Sequence, residues 1–448
     1  MLADQRYQRA LIAQPFWARL SPIEVKQRIQ DLLADPDTEA AVQALSPVEY
    51  TVLLKEAPES RAALLALADP EQNRAVLDLD CWHKQDLRST RLLEWLDHLR
   101  ESGLEPFLDT LAVLDSELLV AGFCEHVQVH AVLPEEEEEE PKPYDEVLSN
   151  ELYRLEFIDP DSAWNERIQR LLSFLRHADL NAYHALMQGI MWSPQSELEE
   201  WAYRWKSGRL QDEGFPDYYD ALEAYRIVDT VPQLAPGDVE TPGRPANAEE
   251  TGLIPGYAWS MTPAGSLLAQ ALGGRFDGET LERLCWEMVG LCNRELVVDQ
   301  VDFANADAVK SSLRRVHAYT NLGLEYFCNV QAYSAESLLR EHSLQAICHT
   351  GISLIVSLRQ RANRIQTHLS RAPASHRALP GLAQKVLSGL LGSHAQFLSQ
   401  LDTSTGWGYR DFLQLNDVRL VDGALRELED ELFNERAGAP EQAGGHQP

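Results

Sequence analysis

A mainly α-helical chain, built from stacked short helices with a separate C-terminal helical domain, is predicted by three observations. A helix-start phrase recurs, Leu-Ser-Pro-x-Glu at Leu20–Glu24 and again at Leu45–Glu49, with looser echoes at Ala57-Pro58-Glu59 and Asp69-Pro70-Glu71-Gln72. Apolar pairs follow the starts: Leu32-Leu33, Leu53-Leu54, Leu64-Leu65 and Val76-Leu77. Residues 335–369 contain no proline and a single glycine, Gly351, so the longest helices belong near the C-terminus.

The phrase starts a helix for reasons of hydrogen bonding. The first turn leaves backbone N–H groups without partners. The hydroxyls of Ser21 and Ser46 can take them, and Pro22 and Pro47 at the first helical position sacrifice no useful donor. Glu24 and Glu49 lie where each can complete a reciprocal capping box, and Asp69 with Gln72 repeats the device. A helix of about ten residues is marginal alone. In a row it buries its apolar stripe against its neighbours, which predicts a superhelical N-terminal part over residues 1–133.

Two segments break the helical period. His126-Val-Gln-Val-His130 and Glu151-Leu-Tyr-Arg-Leu-Glu-Phe-Ile alternate polar and apolar side chains, the pattern of half-buried strands. Pairing them gives a small β-hairpin near 126–158. The acidic run at 134–143, Pro-Glu(×6)-Pro-Lys-Pro, is then its loop; otherwise it is a linker. A second helical segment, 144–230, is either continuous with the first or separate from it. Ile168, Leu171, Leu172 and Leu175 mark one of its helices, and Tyr183, Leu186, Met187 and Ile190 another. Ser193-Pro194 opens a further helix that Gly214-Phe215-Pro216 closes. A Pro/Gly-rich linker at 231–252 leads to the helical domain at 253–436, with Leu338, Leu339, Ile347, Ile352, Ile355 and Leu358 on its buried face. Residues 437–448 read as a disordered tail.

The formal charge of −31 is the compositional anomaly; residues 134–252 alone hold 27 acidic and 10 basic side chains. Such a surface repels nucleic-acid phosphates and anionic lipid and favours a basic protein partner. No apolar run is long enough to span a membrane. The polar opening Met-Leu-Ala-Asp-Gln-Arg and six scattered cysteines without CxxC spacing lead us to expect a reducing cytoplasm.

The caps and leucine pairs between Leu45 and Asp80 resemble the cytosolic N-terminal domain of MgtE-type magnesium transporters, which stacks short helices into a superhelix. The resemblance covers roughly forty residues and implies a shape, not a transport activity. The whole chain also resembles bacterial proteins of unknown function with the same acidic helical layout.

Two clusters carry candidate chemistry. On one predicted helix, Glu200 stands four residues before Arg204, and Trp205 and Arg209 follow. These four residues are the candidate ligand-binding set, in which an arginine would grip an anion beside an aromatic wall; the plainer reading is an amphipathic helix with a surface ion pair and a tryptophan-rich core face. Cys124, His126 and His130 share a face if their segment is a strand, which makes them the weak metal candidates. No GxSxG, HExxH or GxGxxG occurs, so no catalytic residue and no cofactor is assigned. The expectation is a non-enzymatic cytoplasmic scaffold or adaptor that binds a protein partner through helical surfaces and an acidic face. The alternative is an enzyme or anionic small-ligand binder with a pocket between the central and C-terminal helical domains.

Overall fold

The computed structural model describes residues 22–132, 152–160, 162–192, 194–225, 259, 261–274, 276–331, 333–371, 379–402 and 408–434. The Ser21 cap, the acidic run, the 231–252 segment and the 437–448 tail lie outside them. The described residues are mainly helical, with three two-stranded antiparallel ribbons. They fall into two compact units. The N-terminal unit comprises the described residues of 22–218 with Val297–Val309; the C-terminal unit comprises the described residues of Tyr219–Leu296 and 310–434.

The N-terminal unit opens with five short helices: α1 (Pro22–Leu33), α2 (Thr38–Gln43), α3 (Pro47–Glu56), α4 (Arg61–Leu67) and α5 (Pro70–Asp80). Ser46 caps α3 as its sequence predicts: the hydroxyl accepts from the Glu49 N–H at 3.3 Å, with Pro47 in the first turn. The expected return bond from Glu49 is not formed, because that carboxylate faces Arg28 at 3.6 Å. At α5 the box is complete. Asp69 accepts from the Glu71 N–H at 2.8 Å, and the Asp69 N–H donates to Gln72 Oε1 at 3.1 Å.

Gln72 also works at the other end of its side chain. Its buried Nε2 donates to the carbonyls of Val42 (3.1 Å), Gln43 (3.3 Å) and Leu45 (3.0 Å), where α2 ends. One amide therefore satisfies the start of α5 and the end of α2. Beside it, Tyr50 donates to Asn73 Oδ1 at 2.7 Å, and Asn73 donates to the Leu65 carbonyl (3.3 Å) and to Thr110 Oγ1 (3.1 Å). Around these polar links, Leu53, Leu54, Leu64, Leu65, Val76 and Leu77 are fully buried.

A tight ribbon, β1 (Trp82–His83) with β2 (Asp86–Leu87), leads into α6 (Ser89–Ser102), α7 (Leu104–Val113) and α8 (Ser116–Cys124). Only Gly103 separates α6 from α7. Its φ of 132° lies where side-chain-bearing residues are strained, so glycine makes this abrupt change of direction possible.

The predicted hairpin is present. Strand β3 (Val127–Ala131) pairs with β4 (Tyr153–Phe157) in the register Val127↔Phe157, Val129↔Leu155 and Ala131↔Tyr153. Val127, Val129, Tyr153, Leu155 and Phe157 are buried, as the alternation requires. The ribbon packs on α10 (Leu180–Trp192), which in turn packs on α9 (Asn165–Ala178). The residues marked by helical spacing in these two helices are all buried. Helix α11 (Gln195–Asp212) completes the unit by packing on α8.

The C-terminal unit holds most of α12 (Tyr218–Leu222), then α13 (Leu267–Leu272), much of α14 (Gly278–Val298) and α15 (Ala306–Gln331), α16 (Ala335–Glu341), α17 (Leu344–Arg371), α18 (Gly381–Leu391), the ribbon β5 (Phe397–Leu398) with β6 (Tyr409–Arg410), and α19 (Leu415–Asn434). The breaker-free stretch 335–369 is divided between α16 and α17 at His342–Ser343. A local hydroxyl and a distant carboxylate start the new helix: Ser343 Oγ accepts the Ala346 N–H at 3.2 Å. Buried Glu287 accepts the Leu344 N–H at 2.7 Å and is itself held by Arg283 at 3.0 Å, so a new helix start is satisfied there.

The tightest contact in this unit is between α15 and α17. A Cβ on Gly323 would stand 1.8 Å from the Ile347 carbonyl oxygen, and one on Gly351 would stand 1.9 Å from that of Tyr319. Backbone touches backbone, and no side chain larger than hydrogen fits. We expect Gly351→Ala to destabilise the C-terminal unit by at least about 3 kcal/mol, since the helices cannot separate without unpacking their neighbours. Gly423 lies inside α19 with open space around it. Gly423→Ala should instead stabilise the unit by about 0.5–1 kcal/mol. Chemical denaturation of the two variants followed by circular dichroism checks both signs; equal behaviour would refute the contact.

Candidate functional site

Helix α11 carries all four residues of the predicted ligand-binding set, and the structure sends them to opposite faces. Glu200 and Arg204 form an ion pair on the outer surface, where both side chains are about 60% exposed (62% and 59%). The Arg204 guanidinium also lies over the Trp201 ring, 5.2 Å from its centroid. Trp205 shares this face and is 52% exposed, so the tryptophan stripe belongs to the surface and not to the core. Arg209 points the other way. It binds Asp78 through Nε (2.6 Å) and Nη2 (2.8 Å), and Asp115 through Nη1 (3.2 Å) and Nη2 (2.8 Å). Asp78 sits on α5 and Asp115 immediately before α8, so this double fork ties three helices together. Burial disfavours the Arg209 charge, but the hydrogen bonds it donates to the two carboxylates outweigh that and the pKa is raised. The four residues do not surround one cavity.

Sequence reasoning missed the group between these faces. Lys206 is largely buried, with its Nζ 5.4 Å from the Trp82 ring centroid and 5.1 Å from that of Tyr203; the two rings meet edge to face at 5.8 Å. Tyr203 donates to Asp217, to which Ser207 also donates at 3.4 Å. Burial pushes the Lys206 amine down to about 8, partly opposed by the charges of Asp78 and Asp217. Burial and the bond to Asp217 raise the Tyr203 hydroxyl, which remains a donor. At neutral pH the cluster is thus an ammonium held against two aromatic faces, with a minor fraction of free amine. The available signal was Lys206 at i+3 from Tyr203; its partner Trp82 is more than a hundred residues away in sequence.

The metal candidates are dispersed. Cys124 ends α8, and burial pushes its thiol up to about 11. His126 lies in the turn, its Nε2 3.0 Å from Ser89 Oγ, and burial lowers its pKa. His130 is on the open face of β3, 3.7 Å from Glu156. Among the described residues, no group of three or more His, Cys, Asp or Glu side chains is placed to hold a metal ion.

The Lys206 shift fixes the sign of a pH dependence. Its folded-state pKa lies below the unfolded value near 10.5, so the unfolded chain binds more protons between these limits. The burial penalty is full below pH 8 and is relieved as pH rises from 8 to 10.5. Lys206→Met removes the penalty and should gain stability on the order of 2–3 kcal/mol at pH 7, with the gain shrinking towards pH 10. Urea unfolding of both proteins across that range measures the difference; a gain independent of pH would assign the effect to packing alone.

No curated protein and no solved structure matches this chain. The transporter-like look of Leu45–Asp80 therefore gains no support from a known relative. One comparison does match, over residues 6–445 and so nearly end to end. The chain belongs to the DUF6178 family, a family of unknown function.

Proposed function

We propose that this protein is a non-enzymatic cytoplasmic scaffold or adaptor that binds a basic, partly apolar segment of a partner protein along the outer face of α11. The observation that carries the reading is the exposed tryptophan pair. Trp201 and Trp205 are one helical turn apart, 49% and 52% exposed, and Trp192 at the end of α10 is 76% exposed. Large aromatic side chains left in water at helical spacing are what a protein-binding hot spot looks like before it is covered.

The surroundings favour a basic partner. Exposed Glu197, Glu200 and Asp212 share the outer side of the helix, while Arg204 is committed to Glu200. The chain's charge of −31 adds a field that steers cations towards the surface. The run of short helices over residues 22–80 suits a scaffold. Membrane insertion receives no support, since no helix among the described residues is long and apolar enough to cross a bilayer.

The test pairs a variant with a salt series. Trp201→Ala/Trp205→Ala removes exposed rings only, so the melting temperature should hold while affinity for the co-purifying partner falls by roughly 30-fold or more. Raising salt to about 1 M should weaken the wild-type complex further by screening the acidic face. Recovery of the same proteins, at the same yield, from both chains would remove the tryptophan face from consideration.

A further inference from the structure

We propose that a cavity within the C-terminal unit binds a small zwitterion of the α-amino-acid class, with Arg294 receiving its carboxylate and Asp220 and Glu223 its ammonium. This goes beyond the scaffold reading and rests on different residues.

The cavity has a volume of about 200 Å³ and is lined by Asp220, Glu223, Leu291, Arg294, Gln345 and Cys348, with His349 and Ile352. That is roughly seven water molecules' share of liquid volume, enough for a solute of about ten non-hydrogen atoms. Arg294 comes from α14, Gln345 and Cys348 from the first turns of α17, and the two carboxylates from α12 and the 3₁₀ turn Glu223–Tyr225 that follows it. Helix α17 packs against that turn, so the walls are fixed by neighbouring elements of one unit.

Arg294 is the unusual member. Its Nε is buried without a hydrogen-bond partner, and among the described residues no hydrogen bond or ion pair reaches its guanidinium. Every other arginine tied into the cores of the two units has a partner: Arg209 has Asp78 and Asp115, Arg283 has Glu287, and Arg315 has Glu295 at 3.2 Å. Burial lowers the Arg294 pKa, opposed by the more distant charges of Asp220 and Glu223. An arginine does not give up its proton, so the group stays a half-buried cation lacking an anion at contact distance.

The rest of the lining says which anion. Asp220 and Glu223 are exposed, neither has a hydrogen bond or ion pair among the described residues, and neither reaches Arg294 within ion-pair distance. They form an acidic rim to a pocket with a cationic wall. A phosphate dianion at Arg294 would be repelled by both carboxylates, and a simple cation would be repelled by Arg294. A zwitterion satisfies both ends at once. Leu291 and Ile352 supply apolar wall for an aliphatic or thioether side chain, and Gln345 offers an amide that can donate or accept. Cys348 takes no covalent part: burial pushes its thiol up to about 12, so almost no thiolate exists at neutral pH.

Calorimetric titration and thermal shift of the full chain with each of the twenty amino acids test the assignment. The comparison probes are 4-methylpentanoate (no amine), 3-methylbutylamine (no carboxylate) and inorganic phosphate. At least one aliphatic or thioether amino acid should bind with one-to-one stoichiometry, and all three comparison probes should bind at least about 10-fold more weakly. Arg294→Ala and Arg294→Lys should each weaken the amino acid by roughly 10- to 100-fold. The exposed pair Asp220→Asn/Glu223→Gln should weaken the amino acid and, by relieving repulsion, strengthen 4-methylpentanoate; these surface changes keep the test informative if an Arg294 variant folds poorly. No binding by any amino acid at about 10 mM, phosphate binding as tight as the best amino acid, or unchanged binding in the rim variant would each overturn the proposal. Because Trp201 and Trp205 are absent from this pocket, a negative result here leaves the partner-binding reading standing, and the converse also holds.

Discussion

Short helices have proportionally more ends than long ones, and every end brought into a core needs partners for backbone groups that water would otherwise serve. Meeting that need with buried side chains is the constraint on which both units rest. Gln72 closes two helix ends at once, Asn73 links the α4 end to α7, and Glu287 starts α17. Asp417, fully buried at the start of α19, accepts from the Leu413 N–H at 2.9 Å and takes both Nη atoms of Arg410, at 2.7 and 2.8 Å. Glu325 accepts the next free donor, Leu415 N–H, at 2.6 Å. An unpaired buried backbone group costs about 1–3 kcal/mol, so losing one of these side chains removes more than one bond's worth of stability.

The same chemistry explains part of the acidity. A carboxylate is a strong acceptor both for N–H groups at a helix start and for arginine, and several of the chain's acidic residues are consumed inside the fold in these two ways. Asp78, Asp97, Glu287, Glu295 and Asp417 are all buried. Each of these five carboxylates meets an arginine, which leaves Lys206 and Arg294 as cations of another kind. One is held by aromatic faces and the other faces a cavity. These departures from ordinary pairing are what single them out for chemistry beyond structural support.

What the sequence made legible was local. The cap at Ser46, the box at Asp69, the hairpin alternation and the apolar stripes of α9 and α10 all depend on residues within a few positions of one another, and all are found. The candidate site was less legible because it depends on distant partners. Glu200 with Arg204 could be read from four-residue spacing, but nothing near Arg209 announces Asp78 or Asp115. The break in the 335–369 stretch was half hidden: Ser343 caps α17 locally, but Glu287 reaches the Leu344 N–H from far upstream. The tryptophan stripe was seen, but the side of the helix that would face water could not be decided until α8 was known to cover the other.

The hairpin carries a consequence for how this molecule can vary. Ala131 and Tyr153 are cross-strand partners, so the two ends of the segment between them are held side by side. The entropy of joining two such ends depends weakly on the length of chain that connects them: each doubling costs only about 0.6 kcal/mol. The glutamate run lies within that stretch of the sequence. Joining the strands therefore sets little limit on how much negative electricity the sequence carries there, which makes charge and strand pairing separately adjustable properties of this protein.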